Sequence, residues 1–140
     1  MTPDELLAAV QRANAARRAG RPAAGRDAEA VLEARFGCQW QLAVYGTLAP
    51  GAENHAVLAP CDGTWRSGQV RGVRGMGAYP LFRFDPNAPP QPVQLLRSER
   101  LPQFWPAIDE FEGDQYHRVL VPVELDGGEC TVANLYEAAV

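Results

Sequence analysis

At 140 residues with a formal net charge of −4 and an isoelectric point near 5.1, the chain is sized for one hydrophobic core and offers nucleic acid no electrostatic attraction. Its 46% hydrophobic and 21% charged residues are those of an ordinary soluble globular protein, and no run approaches the roughly 20 apolar residues of a membrane span. Asp4 and Glu5 stand where a secretory signal would carry basic residues, so a cytoplasmic protein is expected.

The chain opens with helical periodicity. Thr2-Pro3-Asp4-Glu5 is a helix start, and Leu6, Leu7, Val10 and Ala13 share one face until Gly20-Arg21-Pro22 breaks the pattern. A second helix is expected over residues 27–35, with Ala28, Val31, Leu32 and Phe36 inward and Gly37 as its stop. Six arginines and five acids in this stretch offset one another, so residues 1–37 are expected as a helical extension packing on the rest or on a second copy in a homodimer.

After residue 37 the period shifts toward two and turn residues multiply. Strands are expected at 40–45, 64–73, 79–84, 92–96, 116–124 and 129–136, the last two joined through Asp126-Gly127-Gly128, a strong hairpin signal. The proline-rich stretch 85–92 is expected as a loop, because proline is excluded from central strands. A short helix is expected from Pro106 to about Glu112, stopped by Gly113. Few helices among many short strands imply an α+β fold with a strongly bent sheet or small barrel. Cys38, Cys61 and Cys130 are odd in number and widely spaced, so they are expected as reduced, mostly buried thiols forming neither a disulfide framework nor a zinc site.

Two segments carry candidate chemistry. In the first, an apolar strand ends on Tyr45-Gly46-Thr47-Leu48, with further turn residues behind it. Such a turn can converge backbone N–H groups on an anion, or simply end a strand. In the second, Asp109, Glu110, Glu112 and Asp114 lie within six residues. Asp109 and Glu112 share a helical face, and a carboxylate there, desolvated by neighbouring aromatics, would suit a general base. The same acids would also make a solvated helix face. Arg118 is a candidate ion-pair partner for Asp109 or another acid, Trp105 for the core or, of the three tryptophans, for a wall of the site, and Arg83 for reaching a substrate carboxylate or standing in solvent. His55 and His117 are not expected to be catalytic.

Taken together, the Tyr45–Leu48 segment, the Tyr79-Pro80 strand, Ile108-Asp109-Glu110-Phe111-Glu112-Gly113 roughly 60 residues after the first, and a closing strand with Tyr136 resemble the γ-glutamylcyclotransferase/AIG2-like family. The resemblance covers about residues 40–138 and implies a domain over 38–140 shaped as a small mixed, mostly antiparallel β-barrel with short flanking helices. It implies Glu112 as the catalytic acid/base, Tyr45, Gly46, Thr47 and Leu48 as the loop binding the γ-glutamyl moiety, Tyr136 as a pocket wall and Asp109 as a supporting residue. It further implies an enzyme that cyclises a γ-glutamyl amine or peptide to 5-oxoproline with no metal or organic cofactor. A binding or regulatory protein retaining the fold and pocket is the alternative. The leaving amine would be set by the loops 53–65 and 85–92.

Overall fold

The computed structural model describes residues 1–46, 48–52, 54–75 and 81–139. Helices α1 (Pro3–Arg18) and α2 (Arg26–Phe36) open the chain. Strands β1 (Gln41–Val44), β2 (Thr64–Gly75), β3 (Leu81–Phe84) and β4 (Pro90–Arg97) follow. Helix α3 (Leu101–Glu112) then leads into the hairpin of β5 (Tyr116–Leu125) and β6 (Cys130–Ala138).

The strands run in the order β3-β2-β4-β1-β6-β5, and β2 also pairs with β5, closing a five-stranded barrel with β3 as an extra strand beside β2. Among the described residues, every strand pairing is antiparallel except that of β1 with β6, where Leu42 meets Asn134. The expected mixed barrel with flanking helices is therefore observed. Closure depends on Gly68: a Cβ there would stand 2.8 Å from the Glu124 carbonyl oxygen. The hairpin turns on Gly127 and Gly128, both at positive φ (105° and 94°).

Two layers of packing follow from the strand period of two. Ala43 of β1 points into the barrel with Val70, Val93, Val121 and Leu135, while Leu42 and Val44 point out against Leu101, Trp105 and Ile108 of α3. A third apolar group joins Val10, Ala13, Ala28 and Leu32 to Leu120 and Val132, so the N-terminal helices share a core with the hairpin. Asn14, 1% exposed, completes this contact. Its amide donates to the Leu120 carbonyl and accepts from the Leu120 N–H, both at 2.7 Å, imitating a neighbouring strand along the free side of β5.

The start of α1 follows the expectation: Thr2 and Glu5 form a reciprocal capping box around Pro3. Several expectations are corrected. Helix α3 begins at Leu101 rather than Pro106, because the apolar stripe Leu101, Trp105, Ile108 is continuous and Pro102 serves its first turn. Pro106 sits exposed inside the helix, where water can satisfy the carbonyl it leaves free. Strand β4 starts at Pro90 rather than at the expected Pro92, so it takes Pro90 from the expected loop and contains both prolines. Strand β1 pairs only with residues 94–97 of β4, so no N–H is needed on that side of either proline. Val31 is 48% exposed instead of inward, whereas Ala28 and Leu32 are buried in the core and Phe36 packs against it. Cys38 and Cys61 are buried but Cys130 is exposed. Tyr79 and Pro80, expected to begin the third strand, lie outside the described residues.

Candidate active site

Where β1 ends, Tyr45 and Gly46 carry the chain onward; Ala49 N–H closes a turn on the Gly46 carbonyl at 3.1 Å, and His55 Nδ1 donates to the Leu48 carbonyl at 3.0 Å. Across from them, α3 ends at Glu112, and Gly113 at φ 73° redirects the chain toward β5. Helix α3 is brought here by the burial of Trp105 and Ile108 against β1. Together with Tyr116 and Tyr136, these segments enclose a cavity of about 550 Å³. Its wall holds Tyr45, Gly46, Leu48, Glu112 and Tyr136, so the structure gathers all the sequence-derived site residues except Thr47, which lies outside the described residues.

Glu112 is half-buried, and that burial pushes its carboxyl up to about 7. Among the described residues it has no ion-pair partner. A carboxyl in a cavity wall that is about half protonated at neutral pH, and without an ion-pair partner among the described residues, can take a proton and give it back there.

Two of the three tyrosines that line the cavity, Tyr45 and Tyr136, have their protons committed within the protein. The Tyr45 hydroxyl donates to the Tyr136 carbonyl and the Tyr136 hydroxyl donates to Asp109 Oδ1, each at 2.6 Å. Burial first, and neighbouring charges after it, push both phenols upward, so both stay neutral. Each phenol oxygen can therefore offer only lone pairs to a ligand. Asp109 is held in turn by Arg118, whose guanidinium spans both carboxylate oxygens at 2.9 and 3.3 Å and lies over the Trp105 ring at 4.4 Å. The expected Asp109–Arg118 pair thus forms.

Trp105, expected as core or as a cavity wall, is core: it packs from α3 against β1, with its indole N–H donating to the Gln39 carbonyl at 3.0 Å. Arg83 stands exposed on β3 and is not part of the cavity wall. A different arginine approaches: Arg74 donates to the Tyr45 carbonyl at 2.9 Å. The sequence reading stopped this strand at residue 73, and it was the continuation of β2 beyond the barrel that carries Arg74 there. Asp114 of the acidic segment also lines the cavity, as do Asn54 and Gln115, to which the sequence assigns no role. Among the described residues, no group of three or more His, Cys, Asp or Glu is placed to hold a metal ion, and no helix is long and apolar enough to cross a membrane.

Residues 42–140 match the family described as gamma-glutamyl cyclotransferase, AIG2-like. The chain belongs to this family. Solved structures repeat the γ-glutamyl cyclotransferase-like fold. YkqA from Bacillus subtilis aligns over 70% of the chain at 26% identity and TM-score 0.58, although the chain spans only 35% of that protein's length. An AIG2-like protein from Mus musculus aligns over 71% of the chain and 76% of its own length (19% identity, TM-score 0.55). An uncharacterized protein from Pyrococcus horikoshii does so over 71% and 78% (22% identity, TM-score 0.52). No curated protein sequence matches the chain. The matched region places the cavity, Glu112 and Tyr136 inside the family domain and leaves α1 and α2 outside it.

Proposed function

We propose that the chain converts a γ-glutamyl amine or peptide to 5-oxoproline and a free amine, with Glu112 as general base and then general acid. The observation that carries this reading is the Glu112 carboxyl itself, half-buried in the cavity wall, unpaired among the described residues and pushed to about 7. Membership of the γ-glutamyl cyclotransferase family supports it, as does a cavity of about 550 Å³, which suits a small molecule.

In the proposed reaction the substrate's α-amino nitrogen attacks its own γ-carbonyl carbon, and Glu112 takes the proton that nitrogen must lose. The new C–N bond closes a five-membered ring. The tetrahedral carbon then collapses, breaking its bond to the leaving nitrogen, which receives the proton from Glu112. Water is not consumed and no enzyme-bound acyl group forms. Because nucleophile and electrophile share one molecule, the protein's main task is to fold the substrate into its reactive shape. The backbone of residues 45–48 would hold the γ-glutamyl moiety. The phenol oxygens of Tyr45 and Tyr136, whose O–H groups already donate within the protein, suit the substrate's N–H donors better than its carboxylate.

The test is amine release from a panel of γ-glutamyl amines and dipeptides by wild type and Glu112→Gln. Release by wild type, lost by a factor of about 10² or more in the variant, is expected for a general acid/base. Release at equal rates from both would remove Glu112 from the chemistry. No release from either would leave the chain as a binding protein with the family's fold.

A further inference from the structure

We propose that Arg17, on the N-terminal helix outside the matched family domain, is a positioning residue for the site, holding the Tyr136 phenol through Asn134, Arg118 and Asp109. This rests on the cyclotransferase reading for its meaning, since Tyr136 is placed there as a substrate contact.

The contacts form an unbroken chain. Glu29 of α2 grips the Arg17 guanidinium with both oxygens, at 2.6 and 3.0 Å. The free edge of that guanidinium donates to Asn134 Oδ1 at 2.8 Å and to the backbone carbonyl of Arg118 at 3.2 Å. The same Asn134 oxygen accepts from Arg118 at 3.3 Å, while the Asn134 amide donates to the Cys38 carbonyl at 2.8 Å. Arg118 spans Asp109, and Asp109 accepts the Tyr136 hydroxyl at the cavity wall.

Asn134 is 1% exposed, so water cannot replace a lost donor. Two guanidinium groups converge on one amide oxygen, an arrangement sustained because each has its own carboxylate, Glu29 for Arg17 and Asp109 for Arg118. Removing Arg17 leaves the buried Asn134 oxygen with the longer of its two bonds and unpins the Arg118 backbone. Arg118 can then close on Asn134 only by turning away from Asp109, and the Asp109–Tyr136 geometry loosens with it. Arginine's rigid fork is what lets one side chain serve Glu29, Asn134 and the Arg118 carbonyl together. The N-terminal helices are on this account the rear support of the cavity as well as a cover for the hairpin.

A residue that only anchored α1 would lower stability and nothing more, so the test reads Tyr136 itself. The full chain has four tyrosines. Labelling them with ¹³C at Cζ and assigning Tyr136 by its loss in Tyr136→Phe gives a reporter of the phenol's hydrogen bond that needs no turnover. Arg17→Met should move the Tyr136 signal, as should Asp109→Asn, whereas Arg66→Met on the far strand should not. If Arg17→Met fails to fold, Arg17→Lys keeps the charge but lacks the fork and should move the signal in the same direction. A Tyr136 signal unmoved in a folded Arg17 variant overturns the proposal, whatever the wild-type activity. In the amine-release assay, Arg17→Met should lower kcat/KM about tenfold with an unchanged pH midpoint, and should have no further effect on the Tyr136→Phe background. Additive losses in that double variant would equally overturn it. A wild type inert toward every γ-glutamyl substrate, with the Tyr136 signal still coupled to Arg17, would sink the proposed reaction and leave the coupling standing.

Discussion

Replacing Glu112 by glutamine should make the protein more stable and less active at the same time, and the stability gain should depend on pH. Burial raises the Glu112 carboxyl from 4.5 to about 7, so the folded chain holds that proton more tightly than the unfolded chain does. The stability conferred by the proton is therefore fully present below about pH 4.5 and is lost as pH rises through about 7. At about 1.4 kcal/mol per unit the ionised carboxylate would cost the fold roughly 3 kcal/mol, and water reaching a half-buried group reduces this to about 2 kcal/mol. Glutamine imitates the protonated form and escapes that cost. Thermal unfolding followed by circular dichroism should give a Tm for Glu112→Gln close to wild type at pH 5 and higher by roughly 5–8 °C at pH 8. The other titrating groups are common to both proteins and cancel in the comparison. A Tm difference that is flat with pH, or a wild type the more stable at pH 8, would refute the claim that Glu112 is desolvated in its cavity.

Other consequences follow from single contacts. Asn14→Ala strips both backbone partners from Leu120 in a buried place and should destabilise the chain by about 2–4 kcal/mol in urea unfolding, while a loss below about 0.5 kcal/mol would mean that the strand-like pairing counts for little. Gly68→Ala drives a methyl to 2.8 Å from the Glu124 carbonyl where the barrel closes, and should cost about 1–3 kcal/mol by the same measurement; a neutral effect would show that β2 and β5 part easily. Iodoacetamide on the native protein, followed by mass spectrometry, should label Cys130 alone, because Cys38 and Cys61 are buried and burial raises both thiols, that of Cys38 to about 12. Equal labelling of all three would contradict the described packing.

Much of the barrel was legible because its signals are local. The period of two marked the strands, Gly127 and Gly128 marked the hairpin, and Thr2 with Glu5 marked the first helix start. The errors came where a local rule depends on what lies across from a residue. Proline is barred from a strand only on a side that needs its N–H, and nothing in the sequence told that β1 would stop opposite Gln94 and spare Pro90 and Pro92. Pro106 was read as a helix start although the apolar stripe already began at Leu101. Glu112 and the Tyr45 loop could be paired because both carry motif residues. The support behind Tyr136 could not, since Arg17 meets Arg118 and Asn134 across 101 and 117 positions and no periodicity reports which distant polar groups will meet. Trp105 was expected near the cavity through its nearness in sequence to Glu112, but residues seven apart on one helix, though they share a face, stand about 10 Å apart along its axis, and at that distance Trp105 packs into the core against β1.

The most direct measurement of the central claim is identification of both products when the wild-type protein is incubated with a γ-glutamyl amine that it turns over. Intramolecular cyclisation predicts 5-oxoproline and free amine in equal amounts, with no glutamate, and near-complete loss of both in Glu112→Gln. Glutamate as the product would mean that water is the nucleophile, and 5-oxoproline formed equally by the Glu112→Gln protein would mean that this carboxyl is not the base.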